Sequence, residues 1–232
     1  MTSPLAGTVA LVTGASRGIG AAVARALAQA GARIAALSTQ LQGTEALVAE
    51  LKALGTQAVS VAADVSRPDH VDRALEQAQG ALGPLDVLVN NAGIAGRKPL
   101  SEMRDADFDD VLAVNLAGPF YFARRVVPGM VQRGFGRVIN VSSISSTLGT
   151  PRMSAYCASK WGLNGLTRAL AEELKGTGVL VAAVLPGSVD TDMLKGSGFP
   201  PAMTPEEVAR VVRFLCTEAP PAMTGSLVEV FG

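Results

Sequence analysis

The stretch that decides the fold is Thr13-Gly14-Ala15-Ser16-Arg17-Gly18-Ile19-Gly20, which follows the apolar run Val9 to Val12 and leads into an alanine-rich helical pattern. Glycines between a strand and a helix let the backbone approach a pyrophosphate, and the helix N-terminus offers free N–H groups and a positive dipole to phosphates. The spacing is G-x-x-x-G-x-G rather than the common dinucleotide fingerprint G-x-G-x-x-G. Because no Gly-Lys-Ser/Thr sequence follows, a nucleoside-triphosphate loop is disfavoured. The residues predicted to contact a dinucleotide in this loop are Gly14, Ser16, Arg17, Gly18, Ile19 and Gly20.

Outside this stretch, short β-branched runs alternate with longer helical patterns. Most of the runs are continuously apolar, which is typical of parallel strands covered on both faces. The predicted strands are Val9–Val12, Arg33–Leu37, Gln57–Ala62, Val87–Val89, Arg137–Val141, Val179–Leu185 and Ser226–Val230. The predicted helices are Gly20–Ala30, Thr44–Leu54, Ser154–Lys175 and Thr204–Cys216. This alternation predicts an α/β fold: a single domain over residues 1–232, with a Rossmann-type, doubly wound parallel sheet of about seven strands.

Composition narrows the classes of partner. The chain has 232 residues with 20 basic and 20 acidic side chains, so its formal net charge of zero favours neither nucleic acid nor a membrane surface as partner. Its apolar runs are far too short to span a bilayer, and the stretch Met1 to Gly7 does not resemble a secretion signal. Cys157 and Cys216 have no metal-ligand spacing, so we expect no metal site and no disulfide framework. These features together predict a cytoplasmic protein.

The end of the second predicted strand bears on the choice of cofactor. In such folds an acidic residue there binds the ribose 2′-hydroxyl of NAD. The sequence has Ser38 and Thr39 instead of an acid, and the cation Arg17 is expected to face the same region. Hydroxyl groups and a cation favour the 2′-phosphate, so NADP(H) is predicted over NAD(H). The alternative is that Ser38 and Thr39 simply begin a loop.

Two further loops follow predicted strands at the same sheet edge. Asp64, with its neighbour Val65, follows the third strand and could accept a hydrogen bond from adenine, or the carboxylate could instead cap the helix near Pro68. Asn90-Asn91-Ala92-Gly93 follows the fourth strand, where ligands bind in this architecture. A turn alone could explain asparagine and glycine there. We assign a joint structural and cofactor role to Asn91, Ala92 and Gly93.

Tyr156 and Lys160 are the best catalytic candidates. They are four residues apart in a helical pattern and therefore share one helix face, and Ser143 follows the fifth strand thirteen residues upstream of the tyrosine. A phenol with a pKa near ~10 is a poor base at neutral pH. An ammonium about 4 Å away would favour the phenolate by roughly 4 kcal/mol at an effective dielectric of ~20, which would lower the pKa of Tyr156.

Six motifs in this order resemble the short-chain dehydrogenase/reductase family, with likeness to its 3-oxoacyl-carrier-protein reductases. The motifs are T-G-x-x-x-G-I-G at Thr13–Gly20, N-N-A-G at Asn90–Gly93, Asn115, Ser143, Y-x-x-x-K at Tyr156–Lys160 and P-G-x-x-x-T at Pro186–Thr191. The resemblance covers almost the whole chain and implies a dinucleotide-dependent oxidoreductase. It places the substrate site at the C-terminal edge of the sheet.

The resemblance also implies roles for individual residues. Tyr156 would transfer the proton, Lys160 would lower the tyrosine pKa and bind the nicotinamide ribose, and Ser143 would hydrogen-bond the substrate oxygen. Asn115 would hold a water in a proton relay. The nicotinamide would lie against Pro186, Gly187, Val189 and Thr191. Relatives form dimers or tetramers through the tyrosine helix, so a homo-oligomer is expected.

Two differences from those reductases leave the substrate open. The segment from Met193 to Thr204 is shorter than the helical lid usual in relatives, and the chain ends Val228-Glu229-Val230-Phe231-Gly232 instead of V-D-G-G. The first hypothesis is an NADP(H)-dependent carbonyl reductase or alcohol dehydrogenase acting on a small molecule. The alternatives are a cofactor-binding regulator without turnover, and a family member with epimerase or dehydratase chemistry.

Overall fold

A computed structural model describes residues 3–232 of the chain, so Met1 and Thr2 lie outside it. Within this range the structure contains a parallel sheet of seven strands in the order β3-β2-β1-β4-β5-β6-β7. The strands are β1 Val9–Thr13, β2 Arg33–Ser38, β3 Ala58–Ala62, β4 Val87–Asn90, β5 Gly136–Val141, β6 Val179–Pro186 and β7 Leu227–Val230. The predicted α/β fold and doubly wound sheet are confirmed, and each predicted strand is found with its ends shifted by no more than one residue.

Helices connect the strands. They are α1 Gly18–Gln29, α2 Gln42–Ala53, α3 Pro68–Leu82, α4 Asp105–Leu112, α5 Gly118–Arg133, α6 Ser154–Glu173 and α7 Pro205–Thr217. The four predicted helices are α1, α2, α6 and α7. Helix α7 begins with a capping box, in which Thr204 and Glu207 are bonded to each other's backbone N–H groups. Helix α3 begins at Pro68, where a helix start was expected, whereas α4 and α5 were not among the predicted elements.

Two apolar layers cover the faces of the sheet. Side chains of a strand alternate between its faces, so Val12 joins one layer and Leu11 the other. The first layer includes Leu27 of α1 and Val212 of α7, while the second includes Phe122 of α5. Both faces of the sheet are therefore covered by apolar side chains.

The strand order reverses beside β1, which has β2 on one side and β4 on the other. In open parallel sheets, ligands bind outside the carboxyl ends of the strands at such a reversal. Every sequence-predicted site residue that follows a strand therefore lies along the same edge. Among residues 3–232, no helix combines the length and the apolar character that a membrane span requires.

Candidate active site

The glycine loop between β1 and α1 has no room for side chains at its key positions. Gly14 and Gly18 have φ values of +65° and +54°, which favour glycine. A Cβ added to Gly20 would stand 2.2 Å from the Gly14 carbonyl oxygen and 2.5 Å from the Asn91 amide nitrogen. Among the described residues, no side chain caps the N-terminus of α1, and its first turn carries no acid. This open helix terminus fits the pyrophosphate of a dinucleotide.

The glycine loop is tied to the loop after β4. The Asn91 side-chain amide donates to the carbonyl oxygens of Thr13 and Gly14, at 2.9 and 3.1 Å. In return, the Thr13 hydroxyl oxygen accepts from the backbone N–H groups of Asn91 and Ala92, at 2.9 and 3.0 Å. The Asn91 side chain is therefore used to hold the loop in place, which is the structural part of its predicted joint role.

Arg17 and Ser38 each have a partner within the protein, and their placement around one ribose stays a prediction. The Arg17 guanidinium is 3.2 Å from the carboxylate of Asp192, and both side chains are more than half exposed. The buried Ser38 hydroxyl donates to the Gln40 carbonyl, while Thr39 is exposed.

Asp64 and Val65 occupy the turn after β3. The Asp64 carboxylate accepts from the backbone N–H and the hydroxyl of Ser66, at 2.9 and 2.6 Å. It does not cap α3, whose N-cap is Arg67. Val65 is buried and packs against Gly118 at the start of α5. A hydrogen bond from adenine to Asp64 stays a prediction.

Ser143 is distinguished from the neighbouring serines by its surroundings. The Ser142 hydroxyl donates to the Lys160 carbonyl oxygen, and that of Ser145 lies 2.9 Å from the Thr150 hydroxyl. The Ser146 hydroxyl donates to the Ser143 carbonyl oxygen. The Ser143 hydroxyl oxygen accepts from the Ser145 N–H at 3.1 Å, and the Ser143 side chain also hydrogen-bonds Tyr156, which lowers the pKa of the phenol. The structure thus brings together the serine and the tyrosine that the sequence paired.

Tyr156 and Lys160 are both buried on α6, with exposed fractions of 8% and 4%. The Lys160 ammonium lies 5.7 Å from the centre of the Tyr156 ring and donates to the Val141 carbonyl oxygen at 2.7 Å. Burial lowers the pKa of Lys160 from 10.5 to about 8. Burial also raises the pKa of Tyr156, and the opposing effect of Ser143 is smaller. The expectation of a lowered tyrosine pKa is therefore wrong for the protein alone, because the loss of hydration outweighs the favourable contacts.

Asn115 lies in a π-helical turn, Ala113–Ala117, between α4 and α5. π-helical turns are frequent at functional sites. The Asn115 side-chain oxygen accepts from the Ile94 N–H, and its amide donates to the Ile94 carbonyl and the Ser159 hydroxyl. The side chain thus connects α6 to the loop after β4. Gly93 lies close to it, since an added Cβ there would be 3.2 Å from the Asn115 side-chain oxygen. A water held by Asn115 stays a prediction.

The segment after β6 completes the edge. Pro186 ends the strand, the Gly187 N–H donates to the Val230 carbonyl, and Val189 pairs with Met203 in an isolated bridge. The Thr191 methyl group lies 3.1 Å from the position that a Cβ on Gly18 would take. The predicted nicotinamide segment and the predicted pyrophosphate loop therefore lie next to each other at Thr191 and Gly18.

One residue near the tyrosine was not found by reasoning from the sequence. The Arg97 guanidinium donates to the carbonyl oxygens of Met193 and Lys195, at 2.8 and 3.1 Å, and its charge lowers the pKa of Tyr156. In the sequence, its only mark as a site residue is its position four residues after Gly93, the last residue of the N-N-A-G motif. Within residues 3–232, no group of three or more His, Cys, Asp or Glu side chains could hold a metal ion.

Comparison with known proteins identifies the family. The family described as short chain dehydrogenase matches residues 8–198. The chain belongs to this family. A 3-oxoacyl-[acyl-carrier-protein] reductase of Pseudomonas aeruginosa is 38% identical, with 98% of this chain and 97% of that protein covered. A 3-oxoacyl-[acyl-carrier-protein] reductase of Synechocystis is 39% identical, with the same shares covered. As a short-chain dehydrogenase, the chain is an oxidoreductase.

Solved short-chain dehydrogenase structures share the whole architecture. A blue fluorescent protein from a metagenomic library, solved in complex with NADPH, has a TM-score of 0.92 and 38% identity, with 99% of this chain and 98% of that chain covered. A putative gluconate dehydrogenase from Agrobacterium tumefaciens has a TM-score of 0.93 and 33% identity, with 99% and 96% covered. The resemblance deduced from the six motifs is thereby confirmed.

Proposed function

We propose that the protein transfers a hydride between NADP(H) and a small carbonyl compound or secondary alcohol, with Tyr156 as proton donor and acceptor. The observation that carries this proposal is the burial of Ser143, Tyr156 and Lys160 together at the sheet edge reached by the glycine loop. The whole chain would form one cofactor-binding domain. Its relatives named 3-oxoacyl-[acyl-carrier-protein] reductases support 3-oxoacyl compounds as a substrate class.

The cofactor would supply the hydride at its nicotinamide ring. The residues that would hold its phosphates and adenosine are Gly14, Ser16, Arg17, Gly18, Ile19, Gly20, Ser38, Thr39, Asp64 and Val65. Those that would hold the nicotinamide half are Asn91, Ala92, Gly93, Tyr156, Lys160, Pro186, Gly187, Val189 and Thr191. NADP(H) is proposed over NAD(H) because β2 ends without a carboxylate, and the NADPH complex of a solved relative supports this choice.

The side chains suit the reduction direction. Since burial raises its pKa, Tyr156 keeps its proton at neutral pH and can donate it to the oxygen of a carbonyl as the alcohol forms. Ser143 can hydrogen-bond the same oxygen. Lys160, with a pKa of about 8, is mostly protonated at neutral pH and can return a proton toward the phenol through the relay proposed for Asn115.

We also propose a homo-oligomer, either a dimer or a tetramer. Two large apolar side chains, Trp161 on α6 and Phe120 on α5, are 55% and 42% exposed. Aromatic side chains are enriched in protein interfaces. Sedimentation analysis of the purified protein would measure the assembly, and a monomer at all concentrations would refute it.

A screen of NADPH oxidation against diketones and acetoacetyl esters tests the proposed activity. We expect oxidation that depends on the carbonyl compound, with a lower rate when NADH replaces NADPH. Tight NADPH binding without turnover of any compound would instead support a regulator. Conversion of a hydroxy compound without net oxidation or reduction of the cofactor would indicate epimerase or dehydratase chemistry.

A further inference from the structure

Arg97 connects the loops around the tyrosine. Its guanidinium bonds the Met193 and Lys195 carbonyl oxygens beyond the end of β6, at 2.8 and 3.1 Å. The next residue, Lys98, donates its backbone N–H to the Arg152 carbonyl oxygen at 2.9 Å, just before α6 begins. The loop after β4 is therefore bonded to the segments on both sides, and Arg97 lies near enough to Tyr156 for its charge to lower the pKa of the phenol.

The charge of Arg97 is not balanced by a carboxylate. Of its neighbours in the same loops, Lys98 pairs with Asp107 and Lys195 pairs with Asp192. Across residues 3–232, no carboxylate lies within 4.0 Å of the Arg97 guanidinium, although the residue is partly buried. A guanidinium has five N–H donors, and the two carbonyl bonds use two of them. The remaining donors can bind an anion.

The charge of the neighbouring side chains favours the same conclusion. Ser143 and Asn115 are neutral, Tyr156 is a phenol and Lys160 is a cation, so the groups around the reacting position contain no negative charge. A guanidinium without a carboxylate partner has donors free for an anionic ligand. The planar fork of a guanidinium matches a carboxylate better than any other common organic group.

We propose that Arg97 binds the carboxylate of the substrate, so that the preferred substrates are small oxo acids and the corresponding hydroxy acids. This inference rests on the proposed hydride transfer and narrows its substrate class. The carboxylate would bind the Arg97 guanidinium while the carbonyl oxygen lies between Ser143 and Tyr156. Arg97 would act by positioning the substrate, so its removal would raise KM more than it lowers kcat.

A series of matched substrates distinguishes binding of the substrate carboxylate from a purely structural role, in which Arg97 only bonds the loops together. Acetoacetate and 4-oxopentanoate would be compared with their methyl esters, which keep the ketone and lose the charge. The variants are Arg97→Met, Arg97→Lys and the control Arg73→Gln, an exposed arginine on α3. We expect Arg97→Met to lower kcat/KM for the acids about ten- to a hundredfold through KM, the range for a lost charged hydrogen bond, with little change for the esters. Arg97→Lys should recover part of the loss, and Arg73→Gln should match the wild type.

Equal losses for acids and esters would show that Arg97 only fastens the loops, and would overturn the proposal. So would a wild-type enzyme that reduces the esters as well as the acids. Calorimetric titration of 3-hydroxybutyrate and its methyl ester into the protein with NADPH tests the subsite without turnover, because both the alcohol and the cofactor are then reduced. If no ketone in the series were reduced, the proposed function would fail, while selective binding of the acid, lost in Arg97→Met, would still support the subsite. Binding of neither or of both equally would refute it.

Discussion

The glycine loop and helix α6 lie at the same edge of the sheet, but they are packed by different kinds of contact. At the loop, backbone atoms approach so closely that a single methyl group on Gly20 would collide with the Gly14 carbonyl. At the helix, the close contacts are between polar side chains, and Lys160 is buried with a hydrogen bond to a carbonyl and a lowered pKa. The loop therefore tolerates no added atoms, whereas the helix holds an ionisable group at a cost in stability that its chemistry requires.

The largest effect should come from filling the loop. We expect Gly20→Ala to destabilise the protein by about 3 kcal/mol or more, at the upper end of the range for overpacking, and to abolish NADPH binding. The matched control is Gly80→Ala on α3, where a Cβ would meet nothing within 4 Å. Because alanine favours a helix over glycine, the control should gain about 0.5–1 kcal/mol. Denaturant unfolding measures both variants, and a Gly20→Ala variant as stable as its control would show that the loop has room for a methyl group at this position.

Replacing the buried ammonium of Lys160 should stabilise the protein, whereas filling the loop at Gly20 should destabilise it. The difference between a pKa of 10.5 unfolded and about 8 folded corresponds to roughly 3 kcal/mol at neutral pH, so Lys160→Met should be more stable than the wild type, less about 1 kcal/mol for the lost hydrogen bond. Between pH 8 and 10.5 the unfolded chain binds more protons, so wild-type stability should rise with pH and the advantage of the variant should shrink. Unfolding curves across this range test the sign, and a gap that widened with pH would refute the lowered pKa.

A smaller effect is expected at the cofactor end. A bond from Arg17 to the 2′-phosphate would require the guanidinium to leave Asp192. We expect Arg17→Ala to weaken NADPH binding about ten- to a hundredfold, the cost of a lost charge-assisted contact, and to leave NADH nearly unchanged. Asp192→Asn should tighten NADPH only slightly, because an exposed ion pair contributes about 0–1 kcal/mol. Calorimetry measures the affinity for both cofactors. An equal loss of affinity for NADH would show that Arg17 does not bind the 2′-phosphate.

The smallest effect concerns carrier-bound substrates. Cations at the turn before β5 and at the end of α6 would attract an acidic carrier protein, but Arg133 already pairs with Asp86, and Lys175 with Glu172. We expect kcat/KM for acetoacetyl-carrier protein to stay within about tenfold of that for acetoacetyl-coenzyme A, since paired surface charges steer weakly. The comparison is made at low and physiological salt. A hundredfold preference for the carrier-bound form, lost as salt rises, would show a docking surface.

The sheet and the glycine loop could be predicted because their signals are local. A strand buried on both faces, such as Val179–Pro186, is a continuous apolar run whatever lies around it. Helix α4 gave no such signal, because Asp105–Leu112 contains four aspartates and buries only Val111. Its helical state depends on packing and on the bonds between Arg104 and Asp107, which a periodic pattern does not reveal.

The electrostatics of the site could not be predicted because they depend on distant segments. Arg17 meets Asp192, and Arg97 meets the carbonyl oxygens of Met193 and Lys195, although each pair is far apart in the sequence. The spacing of Tyr156 and Lys160 predicts that they share a helix face, but not how much hydration each loses. That loss decides the direction of both pKa shifts.

The role of Tyr156 as proton donor is tested by a single turnover of NADPH with an acetoacetyl ester, catalysed by the wild type and by Tyr156→Phe. The NADPH dissociation constant would be measured on the same preparations. Because the ring remains and only the proton donor is lost, we expect unchanged NADPH binding and a rate of hydride transfer lower by about 10²–10⁴-fold, the usual contribution of general acid–base catalysis. A variant that binds NADPH equally well and transfers the hydride at the wild-type rate would show that Tyr156 is not the proton donor.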